Sequence, residues 1–131
     1  EVDPENGTIS GVTYLDRNDN GIQDEGEGGI EGVRIDLSGQ DSLGNTVTMV
    51  VFTDENGIYE FTQLAAGTYD VVQTQPQDFR NGQTTAGTGA DATVIDNAFI
   101  DLELGSSADA IDFNFGELAQ ILSKRLFLSS S

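Results

Sequence analysis

The sequence predicts an all-β protein, a seven-stranded antiparallel β-sandwich. Three observations predict it. Apolar and polar residues alternate with period two along most of the chain, which turns one face of each strand toward a core. Gly, Asn and Asp cluster between these runs, where tight turns need them. No long helical periodicity appears before residue 117. With 131 residues the chain suits one domain and can bury a real core.

The elements follow in order. Ile9, Val12 and Tyr14 mark a first strand, broken by Gly11. Val33, Ile35 and Leu37 alternate with Arg34, Asp36 and Ser38 as a second. Residues 46–53 are rich in β-branched side chains and form a third. Tyr59 and Phe61 give a fourth; Tyr69 and Val71 give a fifth, which ends by Pro76. Ile100, Leu102 and Leu104 alternate with Asp101 and Glu103, and Ile111, Phe113 and Phe115 with Asp112 and Asn114. Residues 77–93 are polar and rich in Gly and Thr and read as a long loop. The sandwich is expected over 8–117, after a lead of residues 1–7 and before a basic, apolar tail of residues 118–131 outside the sandwich. In that tail Leu118, Ile121 and Leu122 have helical spacing, and Leu126, Phe127 and Leu128 form a short apolar run.

Charge is the strongest compositional signal. The chain carries 23 acids and 5 basic residues, a net −18. Every acid lies between Glu1 and Glu117, where only Arg17, Arg34 and Arg80 oppose them, so that stretch carries −20. Lys124 and Arg125 make the last 14 residues +2. A body this acidic repels nucleic acid and anionic membranes and gains from bound cations. No apolar run is long enough to span a membrane, so no membrane insertion is expected. Cysteine and histidine are absent, which rules out disulfides, thiolate metal sites and the usual nucleophile triads. The sequence starts at Glu1 without a methionine, as a processed or excised fragment would.

Residues 16–27 carry the chemistry. Asp16, Asn18, Asn20, Gly21 and Glu27 satisfy D-x-[DN]-x-[DN]-G-x5-E at every position. Calcium takes six to eight oxygen ligands at roughly 2.3–2.6 Å in a forgiving geometry, and alternate residues of a tightly curled loop supply them. Asp16, Asn18 and Asn20 offer side-chain oxygens, and Gly21 permits the sharp turn. Ile22 would offer its carbonyl while its side chain packs on the fold. Asp24 would bind directly or through water, and Glu27 would close the shell with both oxygens. Many protein oxygens favour Ca²⁺ over Mg²⁺. Strands rather than helices flank the loop, which argues against a helix-opening sensor and for a brace.

Three motifs then resemble one family. Residues 11–16 with the loop, followed by residues 29–39 (Gly-Ile-Glu-Gly-Val-Arg-Ile-Asp-Leu-Ser-Gly), resemble the start of an SdrD B-like domain. Residues 53–71 supply a second signature, from Thr53-Asp54 to Tyr69-Asp-Val71, and residues 112–117 (Asp-Phe-Asn-Phe-Gly-Glu) a third. Ala66 departs from the Pro-Gly usual at its turn. The resemblance implies a Cna B-like, prealbumin-like sandwich and a calcium-stiffened spacer of extracellular surface proteins, often in tandem. It also suggests a second cation site, for which Asp41, Asp54, Asn56, Asp91 and Asp96 are candidates. Some Cna B relatives form a Lys–Asn isopeptide bond beside a buried carboxylate. Here no lysine precedes Lys124, and Gln73 stands where that family can carry the Glu, so no such bond is expected over residues 1–117.

The functional expectation is a non-catalytic extracellular module, either a spacer in a cell-surface protein or a repeating subunit of an extracellular fibre. Its expected partner is itself, as tandem copies or a homopolymer joined through the tail or an edge strand. An adhesin or carbohydrate-binding module is the alternative, weakened by the lack of Trp and by Tyr14, Tyr59 and Tyr69 at inward strand positions. A glycosidase has carboxylates enough, but the strand pattern of the family it resembles implies no cleft for one.

Overall fold

The computed structural model describes residues 7–119; the lead and the tail beyond Ala119, with the expected helical spacing and apolar run, lie outside the described residues. Ten strands appear among the described residues: β1 (Gly7–Leu15), β2 (Arg34–Asp41), β3 (Thr46–Phe52), β4 (Ile58–Leu64), β5 (Gly67–Gln73), β6 (Phe79–Thr85), β7 (Asp91–Ile95), β8 (Ala98–Leu104), β9 (Asp109–Ala110) and β10 (Asn114–Ala119). They form two five-stranded sheets, one ordered β4-β1-β10-β6 with β9 also on β1, the other β3-β2-β5-β8-β7. The all-β sandwich class therefore holds, with more strands than the seven expected. Pairing is antiparallel except at β1, which runs parallel to β9 and β10. Leu118, expected in the tail, belongs to β10.

Alternation places the core where the sequence pattern puts it. Ile35 and Leu37 of β2, Tyr59 and Phe61 of β4, and Tyr69 and Val71 of β5 are all buried. Phe99 and Phe113 meet edge to face, with ring centroids 5.0 Å apart, and Phe115 packs on Phe99 and Tyr59. Such pairs add to the burial of large apolar area.

Four readings need correction. Residues 77–93 contain β6 and the start of β7, both at sheet edges. An edge strand needs few core side chains, so its polar composition hid it. Ile100 is not in the core; Phe99 takes that place, because Asp101 adopts φ 54° and shifts the register of β8 against β5. The Asp70 carboxylate accepts the N–H of Asp101 at 2.9 Å, which satisfies the bulge. Ile111 is 44% exposed, because the chain leaves the sheet between β9 and β10 and Asp112 takes φ 64°. Gly11 does not break β1. It faces inward, and a Cβ there would fall 1.8 Å from the Phe113 carbonyl, to which the Tyr59 hydroxyl donates at 2.7 Å.

A buried polar network crosses between the sheets. Thr13 Oγ1 donates to Gln73 Oε1 at 2.8 Å, and Gln73 Nε2 donates to Asn97 Oδ1 and Glu117 Oε2, both at 2.7 Å. Gln75 Nε2 donates to Glu117 Oε1 at 2.7 Å, and Asn97 Nδ2 to Gln75 Oε1 at 3.0 Å. Gln73 thus engages both ends of its amide in this network. Glu117 itself is fully buried with no cationic partner among the described residues.

Burial pushes the Glu117 carboxyl above the ordinary value of 4.5, while the amides of Gln73 and Gln75 pull it back. A carboxyl with a raised native pKa binds more protons folded than unfolded. Its contribution to stability is present in full below the unfolded value and is lost as pH rises through the folded value. Glu117→Gln removes that dependence. Melting curves of both proteins in saturating calcium from pH 4.5 to 7 should show the variant gaining on the wild type as pH rises. A gap that stays flat would contradict a raised carboxyl.

Candidate cation-binding loop

The loop leaves β1 at Leu15 and returns to the same strand. Leu15 N–H donates to Gly28 O at 3.0 Å, Tyr14 bridges to Gly29, and Ile30 N–H donates to Thr13 O at 2.8 Å. Residues 16–28 therefore form an excursion whose two ends are fastened to one another.

Asp16 anchors it and is wholly buried. Its N–H donates to Glu117 O at 2.8 Å, so the loop begins on β10 as well as β1. Its carboxylate accepts Asn20 N–H at 3.2 Å and Gly21 N–H at 2.8 Å. This curl requires left-handed backbone at Asp19 (φ 54°) and Gly21 (φ 77°). Asp tolerates that region and Gly occupies it freely.

The other expected ligands gather on the same curl. Asn18 Nδ2 and Asn20 Nδ2 both donate to Asp24 Oδ2, at 3.1 and 2.8 Å. Glu27 accepts Asp24 N–H on Oε1 at 2.8 Å and Arg17 N–H on Oε2 at 2.9 Å. Asn20 Oδ1 accepts Ile22 N–H at 3.0 Å. Asp16, Asn18, Asn20, Asp24 and Glu27 are thus linked by hydrogen bonds around one loop. The Ile22 side chain departs from expectation: it is 63% exposed rather than packed on the fold. Among the described residues no three carboxylates stand together as a formed metal cluster.

The donor set nonetheless fits a hard cation. All five side chains carry oxygen, and turning the Asn18 and Asn20 amides about their terminal bonds exchanges nitrogen for oxygen. Beneath the loop lies a second observation. Tyr14 is fully buried, and its hydroxyl has no hydrogen-bond partner among the described residues. Burial pushes this phenol upward, and the charges of Asp16, Glu27 and Asp24 push it further. A buried hydroxyl without a partner is uncommon and points to a water or ion-bound group.

Residues distant in sequence hold the loop down. Gln83 Nε2 on β6 donates to Asp19 O at 2.6 Å, and Thr85 Oγ1 donates to Gly21 O at 3.2 Å. Gly116 on β10 leaves the space between them: a Cβ there would crowd Gln83 O, Tyr14 Oη and Asp16 Cβ at 3.1–3.3 Å. The sequence marks Tyr14 as an inward strand residue without linking it to the loop, and Gln83 and Thr85 carry no signal, since Gln and Thr in a polar run look like any loop.

The five further candidates do not come together. Asp41 closes the β2–β3 turn, accepting the N–H groups of Leu43 and Asn45 at 3.0 and 2.9 Å. Asp54 closes the β3–β4 turn, accepting those of Asn56 and Ile58 at 2.8 and 3.0 Å. Register sets Asp91 opposite Glu103 near the Asp41 end of the sheet, while Asp96 follows Ile95 at the other end, beside the Asp36 and Val72 row. The Asn56 backbone packs on Gly29, just past the loop.

A two-sheet sandwich with an Asx-rich acidic loop fastened across its first strand defines a class of β-sandwich module. The chain belongs to the SdrD B-like domain family, whose match spans residues 7–116. It is 40% identical over 107 residues to serine-aspartate repeat-containing protein D of Staphylococcus aureus strain Newman, covering 70% of this chain and 8% of that protein. It is 38% identical over 84 residues to serine-aspartate repeat-containing protein F of Staphylococcus epidermidis, covering 64% of this chain and 5% of that protein. The chain therefore spans under a tenth of the length of these relatives. Among solved structures, the plantain pollen allergen Pla l 1 aligns with TM-score 0.48 and 13% identity over 84% of this chain and 92% of its own. The shaft pilin SpaA of Lactobacillus rhamnosus GG aligns with TM-score 0.48 and 10% identity over 86% and 51%.

Gln83→Ala removes the bond to the Asp19 carbonyl, a loss of about 1 kcal/mol. Hydrogen exchange of the Asn20 and Gly21 amides should quicken roughly fivefold, with the core strands unchanged. Unaltered exchange in the loop would show that β6 does not hold it.

Proposed function

We propose that the chain is a non-catalytic extracellular or cell-surface module, stiffened by calcium in the loop of Asp16, Asn18, Asn20, Ile22, Asp24 and Glu27. It serves as a spacer of a cell-surface protein or as the repeating subunit of an extracellular fibre. The observation that carries this reading is the single curl of five oxygen-bearing side chains above a Tyr14 hydroxyl that has no hydrogen-bond partner among the described residues. Membership in the SdrD B-like family supports it, and the small share of each relative covered suits one module among others. Its partners are further copies of itself, in tandem or as a polymer. Edge strands supply one route, since β3, β4, β6 and β7 each lie at the end of a sheet.

The adhesin or carbohydrate-binding reading has less support. Tyr14, Tyr59 and Tyr69 are buried, so none offers a ring for stacking on a sugar. The turn acids Asp41 and Asp54 act as turn closers, which accounts for them without a second ion.

A site filled at about 100 times its dissociation constant adds roughly 2.7 kcal/mol, a sizeable part of a domain's usual 5–15 kcal/mol. Scanning calorimetry should therefore show the melting temperature falling by about 5 °C or more in EDTA and recovering with calcium. Superimposable scans would sink the structural role of the ion.

A further inference from the structure

The polar network between the sheets brings a hydroxyl, a carboxamide and a carboxylate together. Thr13 on β1, Gln73 on β5 and Glu117 on β10 are all buried. Thr13 Oγ1 lies 2.8 Å from Gln73 Oε1, and Gln73 Nε2 lies 2.7 Å from Glu117 Oε2. The neighbours fix which end of the Gln73 amide faces which group. Its Nε2 meets two acceptors, Glu117 Oε2 and Asn97 Oδ1. Asn97 is oriented in turn, since its Nδ2 donates to Gln75 Oε1, while Gln75 Nε2 donates to Glu117 Oε1 and Phe79 O. The carbonyl end of Gln73 must therefore face Thr13.

These are the parts of an acyl transfer. The Thr13 hydroxyl is a nucleophile, Gln73 Cδ is an acyl carbon, and a carboxylate sits on the nitrogen that would leave. A C=O bond is about 1.23 Å long, so Oγ1 stands within about 4 Å of Cδ. A movement of about 1 Å or less brings the two to the roughly 3–3.5 Å of a near-attack pair. Both backbones are held in place for it. Thr13 N–H donates to Gly57 O and Thr13 O accepts Ile30 N–H, each at 2.8 Å, and Gln73 N–H donates to Asn97 O at 2.8 Å.

From this geometry we propose that Thr13 and Gln73 join through an ester, a covalent staple between the two sheets. Oγ1 bonds to Cδ, and the hydroxyl proton passes to Oε1, which it already faces. Glu117 then takes that proton from Oε1 and delivers it to Nε2. The C=O bond re-forms, the Cδ–Nε2 bond breaks, and ammonia departs. Nothing else enters the balance, and Glu117 ends as it began. Burial of all three groups keeps bulk water from the finished ester. The staple ties β1, which carries the cation loop, to β5 at the centre of the other sheet. It differs from a Lys–Asn bond in needing no lysine. It goes beyond the calcium reading and stands whether or not the loop binds an ion.

Intact-mass spectrometry of the purified full chain should read one ammonia below the sequence mass, with or without calcium. After unfolding, digestion at arginine should release residues 1–17 joined to residues 35–80. Mild hydroxylamine, which cleaves esters and spares amides, should separate the two. Thr13→Val should restore the full mass, and Thr13→Ser, which keeps a hydroxyl, should keep the deficit. A folded wild type that stays at its full sequence mass on prolonged incubation would overturn the inference. So would a deficit that persists in Thr13→Val, or a joined pair that hydroxylamine leaves intact.

Discussion

The structure turns on one buried acid at the end of a strand. Asp16 is fully buried, and a carboxylate in that position is costly unless it is hydrogen-bonded. The Asn20 and Gly21 N–H groups meet this demand. Their doing so dictates the curl of the loop, the left-handed backbone at Asp19 and Gly21, and the closeness of Asn18, Asp24 and Glu27. The parallel pairing of β1 with β10 belongs to the same constraint, because Asp16 N–H must find Glu117 O. Gly116 is part of it too, since a side chain there would push Tyr14 and Asp16 away.

Charge explains why such a loop suits this chain. The stretch up to Glu117 carries −20, and self-repulsion of that size opposes compaction. Arg34–Asp36 is the one ion pair among the described residues and is largely exposed, so it contributes little. The interior link between the sheets is made of amides around Glu117 rather than of opposite charges. The chain has no cysteine to cross-link it, and the calcium proposed for the loop would offset this repulsion locally. The loop is fastened at both ends to β1, so under the proposed calcium binding it would change in stiffness rather than in shape.

Much of this was legible in sequence. Ile35 and Leu37, Tyr59 and Phe61, and Tyr69 and Val71 alternate as half-buried strands do, and all are inside. The loop was legible because Asp16, Asn18, Asn20, Gly21 and Glu27 recur at a spacing that turn propensity alone does not produce. The β6 and β7 strands were not, because an edge strand is defined by backbone pairing and carries little apolar signal. The phase of β8 was lost to a bulge at Asp101, which no alternation rule contains. Gln83 and Thr85 lie 64 residues from the carbonyls they hold, and nothing local links them. The dispersal of Asp41, Asp54, Asp91 and Asp96 to opposite ends of a sheet depends on register, which composition cannot supply.

The brace account makes the loop, not the surface acidity at large, the seat of cation binding. Isothermal titration calorimetry of the chain with calcium tests this most directly, against a variant carrying Asp16→Asn and Glu27→Gln. One saturable binding event in the wild type, missing from the variant, is the result the account predicts. No saturable heat in the wild type, or the same isotherm in both proteins, would contradict it.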